Sequence, residues 1–209
     1  MHPMRRFVML LAFAVAACSP DSQPGSEGQA KAAAPDSGKR ETAVFAGGCF
    51  WCTEADFEKV PGVISAVSGY TGGNTIKPTY EQVSAGGTGH YEAVKVTFDP
   101  ARVGYQQLAR HFFRTVDPTD GGGQFCDRGE SYRTGIFVTS ERQRRIALAE
   151  KQQAQNALKK GVVTPILRAG MFYAAEGYHQ DYYKKNPIRY RFYRSRCGRD
   201  ARLKEVWGK

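Results

Sequence analysis

Two of the five cysteines lie three residues apart, directly after a pair of glycines. Cys49 follows Gly47 and Gly48, and Cys52 comes one helical turn later. The glycines allow a sharp turn that leaves the sulfur of Cys49 exposed, and the apolar spacing behind it predicts a helix over 49–60. A helix N-terminus stabilises an anion, which lowers the pKa of a cysteine below its usual value of roughly 8.5. The spacing therefore predicts that Cys49 is a reactive thiolate.

The alternatives for this cysteine pair are a half-cystine of a structural disulfide and a metal ligand. Zinc is disfavoured because no second closely spaced pair of cysteine or histidine completes four ligands. Two structural disulfides among Cys49, Cys52, Cys126 and Cys197 fit poorly with two cysteines so close together at a helix start. Cys126 is not expected to take part in chemistry, and we expect no metal and no organic cofactor.

The elements that must position Cys49 follow from hydrophobic periodicity. Strands are predicted over 42–46, 63–67, 91–98, 134–139 and 162–167, and helices over 49–60, 105–116, 140–160 and 173–185. Two glycine-rich stretches, 68–90 and 117–130, are predicted to be functional loops, and the tail from Ile188 onward is predicted to be irregular. Because strands and helices are mixed without strict alternation, we expect a single α+β domain. It would be a mixed sheet with packed helices in a two-layer, ferredoxin-like sandwich.

The N-terminal residues predict export. Two arginines precede an apolar run over 7–17, which is too short to span a bilayer but is typical of a signal peptide. Val15-Ala16-Ala17-Cys18 resembles a bacterial lipoprotein box, in which the cysteine is acylated. Residues 1–18 are therefore predicted to be a lipoprotein signal peptide with Cys18 as the lipidation site. Cleavage near Ala17 without lipid is the alternative.

The next segment predicts a tether. Residues 19–40 are rich in Ser, Gly, Ala, Pro and Asp and cannot bury enough surface to offset their conformational entropy. We predict a flexible linker over 19–40 and a folded domain over 41–209. Ser19 resembles the residue that sorts lipoproteins to the outer membrane, which favours a periplasmic, membrane-anchored protein. The net charge of +10 is scattered without a recognition motif, so nucleic acid is not expected as a partner.

Several segments together resemble a known family. Gly47-Gly48-Cys49-Phe50-Trp51-Cys52 is similar to the signature of the peptide methionine sulfoxide reductase A family. The resemblance continues in order through Val67-Ser68-Gly69-Tyr70-Thr71-Gly72-Gly73, Gly89-His90-Tyr91-Glu92-Ala93-Val94, Phe98-Asp99-Pro100, Asp117-Pro118-Thr119, Asp127-Arg128-Gly129, Tyr132-Arg133 and Ala175-Glu176-Gly177-Tyr178-His179-Gln180-Asp181-Tyr182-Tyr183. It identifies the domain over 41–209 as a catalytic domain.

The family's chemistry implies roles for the matched residues. Cys49 resembles the nucleophile that attacks the sulfur of methionine sulfoxide, and Glu92 resembles the acid that protonates the sulfoxide oxygen. Tyr80 and Tyr132 resemble phenols that hydrogen-bond around that oxygen. Asp127 resembles a residue that organises the polar contacts of the site.

The residue types fit this reaction. A sulfoxide oxygen leaves only when it is protonated, so an anionic sulfur needs a neutral acid beside it. On the strand over 91–98, Glu92 shares a face with Val94, which predicts a desolvated carboxyl with a raised pKa. A surface glutamate at a strand end is the alternative. Phe50 and Trp51 resemble apolar walls for the S-methyl group of the substrate, with plain core aromatics as the alternative.

Attack leaves a sulfenic acid on Cys49, which a second thiol must convert into a disulfide. The resemblance favours Cys197, in a glycine-containing tail, as this resolving cysteine. Cys52 is the competitor, although so small a ring requires a distorted first helical turn. A thioredoxin-like dithiol would then reduce the disulfide. The implied activity is reduction of methionine S-sulfoxide, free or in proteins, and predicted export implies repair of oxidised envelope proteins.

Two rival functions stay open. A thiol–disulfide oxidoreductase built on Cys49 and Cys52 would reduce protein disulfides and would leave Glu92 unexplained. A disulfide-stapled binding module of the envelope would contain no fast-reacting thiol.

Overall fold

The strands expected around Cys49 belong to one six-stranded sheet in the computed structural model, which describes residues 38–208. The strands in this range are β1 (Glu41–Gly47), β2 (Val63–Thr71), β3 (Tyr91–Phe98), β4 (Gly123–Gln124), β5 (Asp127–Arg128), β6 (Thr134–Val138), β7 (Ile166–Arg168) and β8 (Phe172–Ala174). The sheet has the order β7-β6-β1-β3-β2-β8, and β4 pairs with β5 separately. Its neighbouring strands are antiparallel except for β6 and β7, so the sheet is mixed.

The helices of the same range are α1 (Phe50–Glu58), α2 (Tyr80–Ala85), α3 (Tyr105–Arg114), α4 (Glu141–Leu158), α5 (Tyr182–Lys185), α6 (Pro187–Arg196) and α7 (Arg199–Trp207). Ser140 caps α4, because its hydroxyl accepts a hydrogen bond from the N–H of Gln143 at 3.2 Å. Among the described residues, no helix combines the length and apolarity that a membrane crossing requires. The predicted signal peptide over 1–18 and nearly all of the predicted linker over 19–40 lie outside the described residues.

Helices α1, α3 and α4 pack on one face of the sheet and enclose the main core. The alternation of β3 directs Val94, Val96 and Phe98 into this core, and Phe45 of β1 stacks on Phe57 of α1 with 4.7 Å between ring centroids. Each such buried side chain contributes about 1.5–3 kcal/mol to stability. Because α1 is anchored in this way, its N-terminus is held over the strands that carry the remaining site residues.

The predicted fold class, α+β with a mixed sheet and packed helices, is confirmed. Several elements differ from the prediction. The glycine-rich stretch over 68–90 contains α2, which starts at a capping box formed by Thr79 and Gln82. The predicted helix over 173–185 begins instead as β8, because that segment pairs with β2 at the sheet edge, a long-range contact that local periodicity does not encode.

The tail from Ile188 onward is helical, which corrects the prediction of an irregular tail. Pro187 begins α6 at a position where its missing N–H leaves no hydrogen bond unmade. Helix α6 buries Tyr190 and α7 buries Arg199. Neither helix therefore has the apolar stripe from which helices are predicted.

Candidate active site

The turn before α1 fixes the position of Cys49. Gly48 has a φ of +80°, and a Cβ there would lie 2.5 Å from the Cβ of Gln124, so only glycine fits. Cys49 is the N-cap residue of α1, and its carbonyl accepts hydrogen bonds from the N–H groups of Cys52 and Thr53, each at 3.2 Å. The residue is 6% exposed, not open as predicted, because aromatic side chains of α5 and α6 pack over it.

Cys49 and Cys52 are free, buried thiols that belong to one cluster of buried residues. Burial raises the pKa of Cys49 well above its usual value, so the prediction of a lowered pKa is wrong for this state. A helix N-terminus lowers the pKa of a thiol, but the desolvation of the Cys49 sulfur outweighs that effect here. The pKa of Cys52 falls to about 7, first because of its hydrogen bond with Cys49 and further because Arg199 and Arg194 lie nearby. Of the two thiols, Cys52 is therefore the one that ionises more readily.

Glu92 lies on the core side of β3 and faces the start of α1. It is 3% exposed, and its Oε2 accepts a hydrogen bond from the N–H of Phe50 at 2.9 Å. Burial raises the pKa of Glu92 to about 8. The carboxyl is therefore mostly protonated at neutral pH, and a surface-facing glutamate is excluded.

The phenols of Tyr80 and Tyr132 lie near enough to the Glu92 carboxyl for its charge to affect their pKa values. Tyr80 is the first residue of α2, and its backbone N–H donates to Oε1 of Glu176 at 2.9 Å. Tyr132 ends a short 3-10 helix, Glu130–Tyr132, that precedes β6. Burial raises the pKa of both phenols and the nearby Glu92 raises it further, so both keep the proton that a donor needs.

Phe50 and Trp51 differ in exposure. Phe50 is 1% exposed and packs against Tyr70 and His179. Trp51 is half-buried and stacks on Tyr182 with 3.7 Å between ring centroids. Its indole N–H donates to Nδ1 of His179 at 3.0 Å. Because that N–H can only donate, Nδ1 carries no proton, and His179 acts as a scaffold that fixes the indole.

Asp127 on β5 lies beside a disulfide that joins Cys126 to Cys197. The sequence did not predict this bond, which occupies the cysteine that the sequence favoured for resolution. Oδ2 of Asp127 accepts a hydrogen bond from the phenol of Tyr193 and lies 3.6 Å from Sγ of Cys197. Burial raises the pKa of Asp127. The hairpin of β4 and β5 is thus attached to the end of α6.

Three residues of the C-terminal helices reach the site although the sequence did not identify them: Tyr193, Arg194 and Arg199. Arg199 is 1% exposed, and its guanidinium donates to the carbonyl oxygen of Gly47 at 3.3 Å, directly before the Cys49 turn. The available signal was Pro187, a typical first residue of a helix, followed by tyrosines at helical spacing.

The arrangement defines a class of protein. Two neighbouring thiols supply two electrons when they close to a disulfide, and a protonated carboxyl supplies a proton to an oxygen atom. The half-buried indole beside them offers an apolar surface. This combination is that of a thiol-dependent reductase acting on an oxygenated substrate.

Comparison with known proteins identifies the family. Residues 41–209 match the family model for peptide methionine sulfoxide reductase, and the chain belongs to this family. It is 53% identical over 206 residues to the peptide methionine sulfoxide reductase MsrA 2 of Caulobacter vibrioides, covering 98% of this chain and 100% of that protein. It is 51% identical over 172 residues to MsrA of Bacillus subtilis, covering 81% of this chain and 97% of that protein.

Solved structures agree. Mxr1 from Saccharomyces cerevisiae in reduced form superposes with a TM-score of 0.69 at 31% identity, covering 76% of this chain and 92% of that chain. Methionine sulfoxide reductase A of Corynebacterium diphtheriae gives a TM-score of 0.65 at 34% identity, covering 74% and 77%. The predicted family is confirmed, and the chain is an oxidoreductase that reduces methionine sulfoxide.

Proposed function

We propose that Cys49 attacks the sulfur of methionine S-sulfoxide, free or in proteins, while Glu92 transfers its proton to the sulfoxide oxygen. Tyr80 and Tyr132 donate hydrogen bonds to that oxygen as negative charge develops on it. The support is the protonated, buried carboxyl of Glu92 beside a pair of free thiols. A proton donor with a pKa near the working pH is the most effective general acid.

The apolar part of the substrate has a matching surface. The half-buried indole of Trp51 provides a wall for the S-methyl group, and the fully buried Phe50 supports the pocket from behind. Asp127 organises the polar side of the site through its contact with Tyr193.

Cys49 must lose its proton during the attack, and its hydrogen bond with Cys52 provides the route to the Cys52 thiolate. The oxygen is transferred with its added proton to Cys49 as the sulfoxide becomes a thioether. The products of this step are methionine and a sulfenic acid on Cys49.

Cys52 then displaces the sulfenic hydroxyl as water and forms the Cys49–Cys52 disulfide. The sequence favoured Cys197, but Cys197 is bonded to Cys126, whereas Cys52 is free and in contact with Cys49. The small ring is feasible because Cys49, with a φ of −50° and a ψ of 119°, lies outside the helical region. A thioredoxin-like dithiol reduces this disulfide by exchange. The yeast relative Mxr1 has been crystallised in complex with Trx2.

A chiral assay tests the function. With a dithiol reductant, racemic methionine sulfoxide should lose its S epimer and keep its R epimer. Consumption of the R epimer would contradict the assignment of substrate. Reduction of insulin disulfides with neither epimer consumed would assign the thiols to the rival thiol–disulfide chemistry.

The proposed place of action is the cell envelope, where the enzyme would repair oxidised proteins from a lipid anchor on Cys18. The support is the lipoprotein-type sequence over 1–18, which lies outside the described residues. Cys18→Ala should release the enzyme from membranes or leave the precursor unprocessed. Unchanged membrane fractionation together with an unchanged N-terminal mass would contradict the anchor.

A further inference from the structure

Tyr193 stands between the nucleophile and Asp127. Its phenol O–H donates to Oδ2 of Asp127, and its side chain packs against the cluster of buried residues that contains Cys49 and Cys52. The ring meets the Trp51 indole edge-on, with 5.7 Å between centroids. The phenol therefore lies against the buried cluster that contains the attacking sulfur, on the side of the Trp51 indole.

From this geometry we infer that Tyr193 is a further catalytic residue, whose phenol hydrogen-bonds the Cys49 sulfur while it is anionic. This inference rests on the proposed role of Cys49. The phenol has a single proton and can donate a full hydrogen bond to only one acceptor at a time. It therefore donates to whichever of Asp127 and Cys49 carries more negative charge. With a neutral Cys49 the proton points to Asp127, and as Cys49 ionises it turns to the sulfur. No proton is gained or lost in this exchange of partners.

The surrounding covalent structure holds Tyr193 in place. The carbonyl of Tyr193 accepts a hydrogen bond from the N–H of Cys197 at 2.9 Å, one turn along α6. Cys197 is bonded to Cys126, the residue next to Asp127. The disulfide thus ties together the two segments whose side chains form the contact between Tyr193 and Asp127. Burial keeps the pKa of the phenol above its usual value, so the proton remains available as a donor at working pH.

The experiment compares Tyr193→Phe with Tyr183→Phe. Tyr183 is the matched control. It lies in α5, and its phenol donates a hydrogen bond to Glu58 at 2.6 Å. Cys49 alkylation by iodoacetamide is followed against pH by peptide mapping, alongside single-turnover reduction. Loss of a hydrogen bond to a charged group predicts that Tyr193→Phe slows both reactions by about 10- to 100-fold at neutral pH. The alkylation profile should shift to higher pH, with KM nearly unchanged.

Parent-like alkylation in Tyr193→Phe, or an equal loss in Tyr183→Phe, would overturn the inference. Alkylation needs no sulfoxide, so this failure is distinct from failure of the proposed function. If Tyr193→Phe melts early, Tyr193→3-fluorotyrosine replaces it. Its more acidic phenol is a stronger donor, so the alkylation profile must shift to lower pH, and an unchanged profile would overturn the inference as well.

Discussion

Two cysteine pairs in the described domain show how the position of a cysteine in the fold decides its role. The inner pair, Cys49 and Cys52, lies at the start of α1, is buried and consists of free thiols. The outer pair, Cys126 and Cys197, is separated by 71 residues and closed as a disulfide, with Cys126 exposed. A spacing of one helical turn holds two sulfurs in contact without bonding them. A long-range pair instead joins two distant segments.

The surroundings of the two pairs differ as well. The inner pair lies near Arg194 and Arg199, which favour one thiolate, and near the neutral acid Glu92. The outer pair lies beside the Asp127 carboxyl, which disfavours a nearby thiolate by like-charge repulsion. We therefore expect the inner pair to carry the reaction and the outer pair to position Asp127 and Tyr193.

The strongest contrast between the pairs comes from single serine substitutions. Cys49→Ser should abolish methionine formation even in one turnover, because the variant lacks the sulfur that accepts the oxygen. Cys126→Ser should still release one methionine per chain, as measured by rapid quench. Methionine release by Cys49→Ser, or none by a folded Cys126→Ser, would reverse the assignment of the two pairs.

The acid beside the inner pair gives the next largest effect. General acids contribute roughly 10²–10⁴-fold in rate, so Glu92→Ala should slow single-turnover reduction by about that factor. Glu92→Gln should lose less, because its amide can donate a hydrogen bond. The parent rate should fall as pH rises through about 8, where Glu92 loses its proton. A near-parental rate in Glu92→Ala would rule out the role, provided that Cys49 alkylation is unchanged.

The outer pair should matter more for stability than for chemistry. Cys126→Ser opens a cross-link between residues 71 apart, for which chain entropy predicts a loss of about 4 kcal/mol in the free energy of unfolding. Urea denaturation measures this loss, with the reduced parent as control. A loss below about 1 kcal/mol would contradict this stabilising role of the bond.

The smallest effect concerns stability against pH. Folded Glu92 keeps its proton up to about pH 8, whereas an unfolded glutamate loses it near about 4.3. The folded state therefore binds more protons in this window, so Glu92 makes the free energy of unfolding fall as pH rises across it. Glu92→Gln should remove this contribution and gain stability over the parent between pH 5 and 8 in urea titrations. A constant difference between the two proteins would contradict the buried, protonated carboxyl.

The sequence was sufficient where local pattern and position agree. The period of two over 91–98 placed Glu92 on the core face, and the glycine pair located the N-terminus of α1 at Cys49. The sequence was insufficient where contacts between distant segments determine the structure. The burial of Cys49 under α6, and the bond between Cys126 and Cys197, depend on a tail whose helices are built from tyrosine and arginine, without an apolar period.

The most direct test of the account is disulfide mapping after a single turnover. The parent, with its Cys126–Cys197 disulfide intact, is mixed with excess methionine S-sulfoxide in the absence of reductant and digested under acid conditions. The account predicts one methionine released per chain, a new disulfide between Cys49 and Cys52, and an unchanged bond between Cys126 and Cys197. A disulfide between Cys49 and Cys197, or no methionine released, would contradict it.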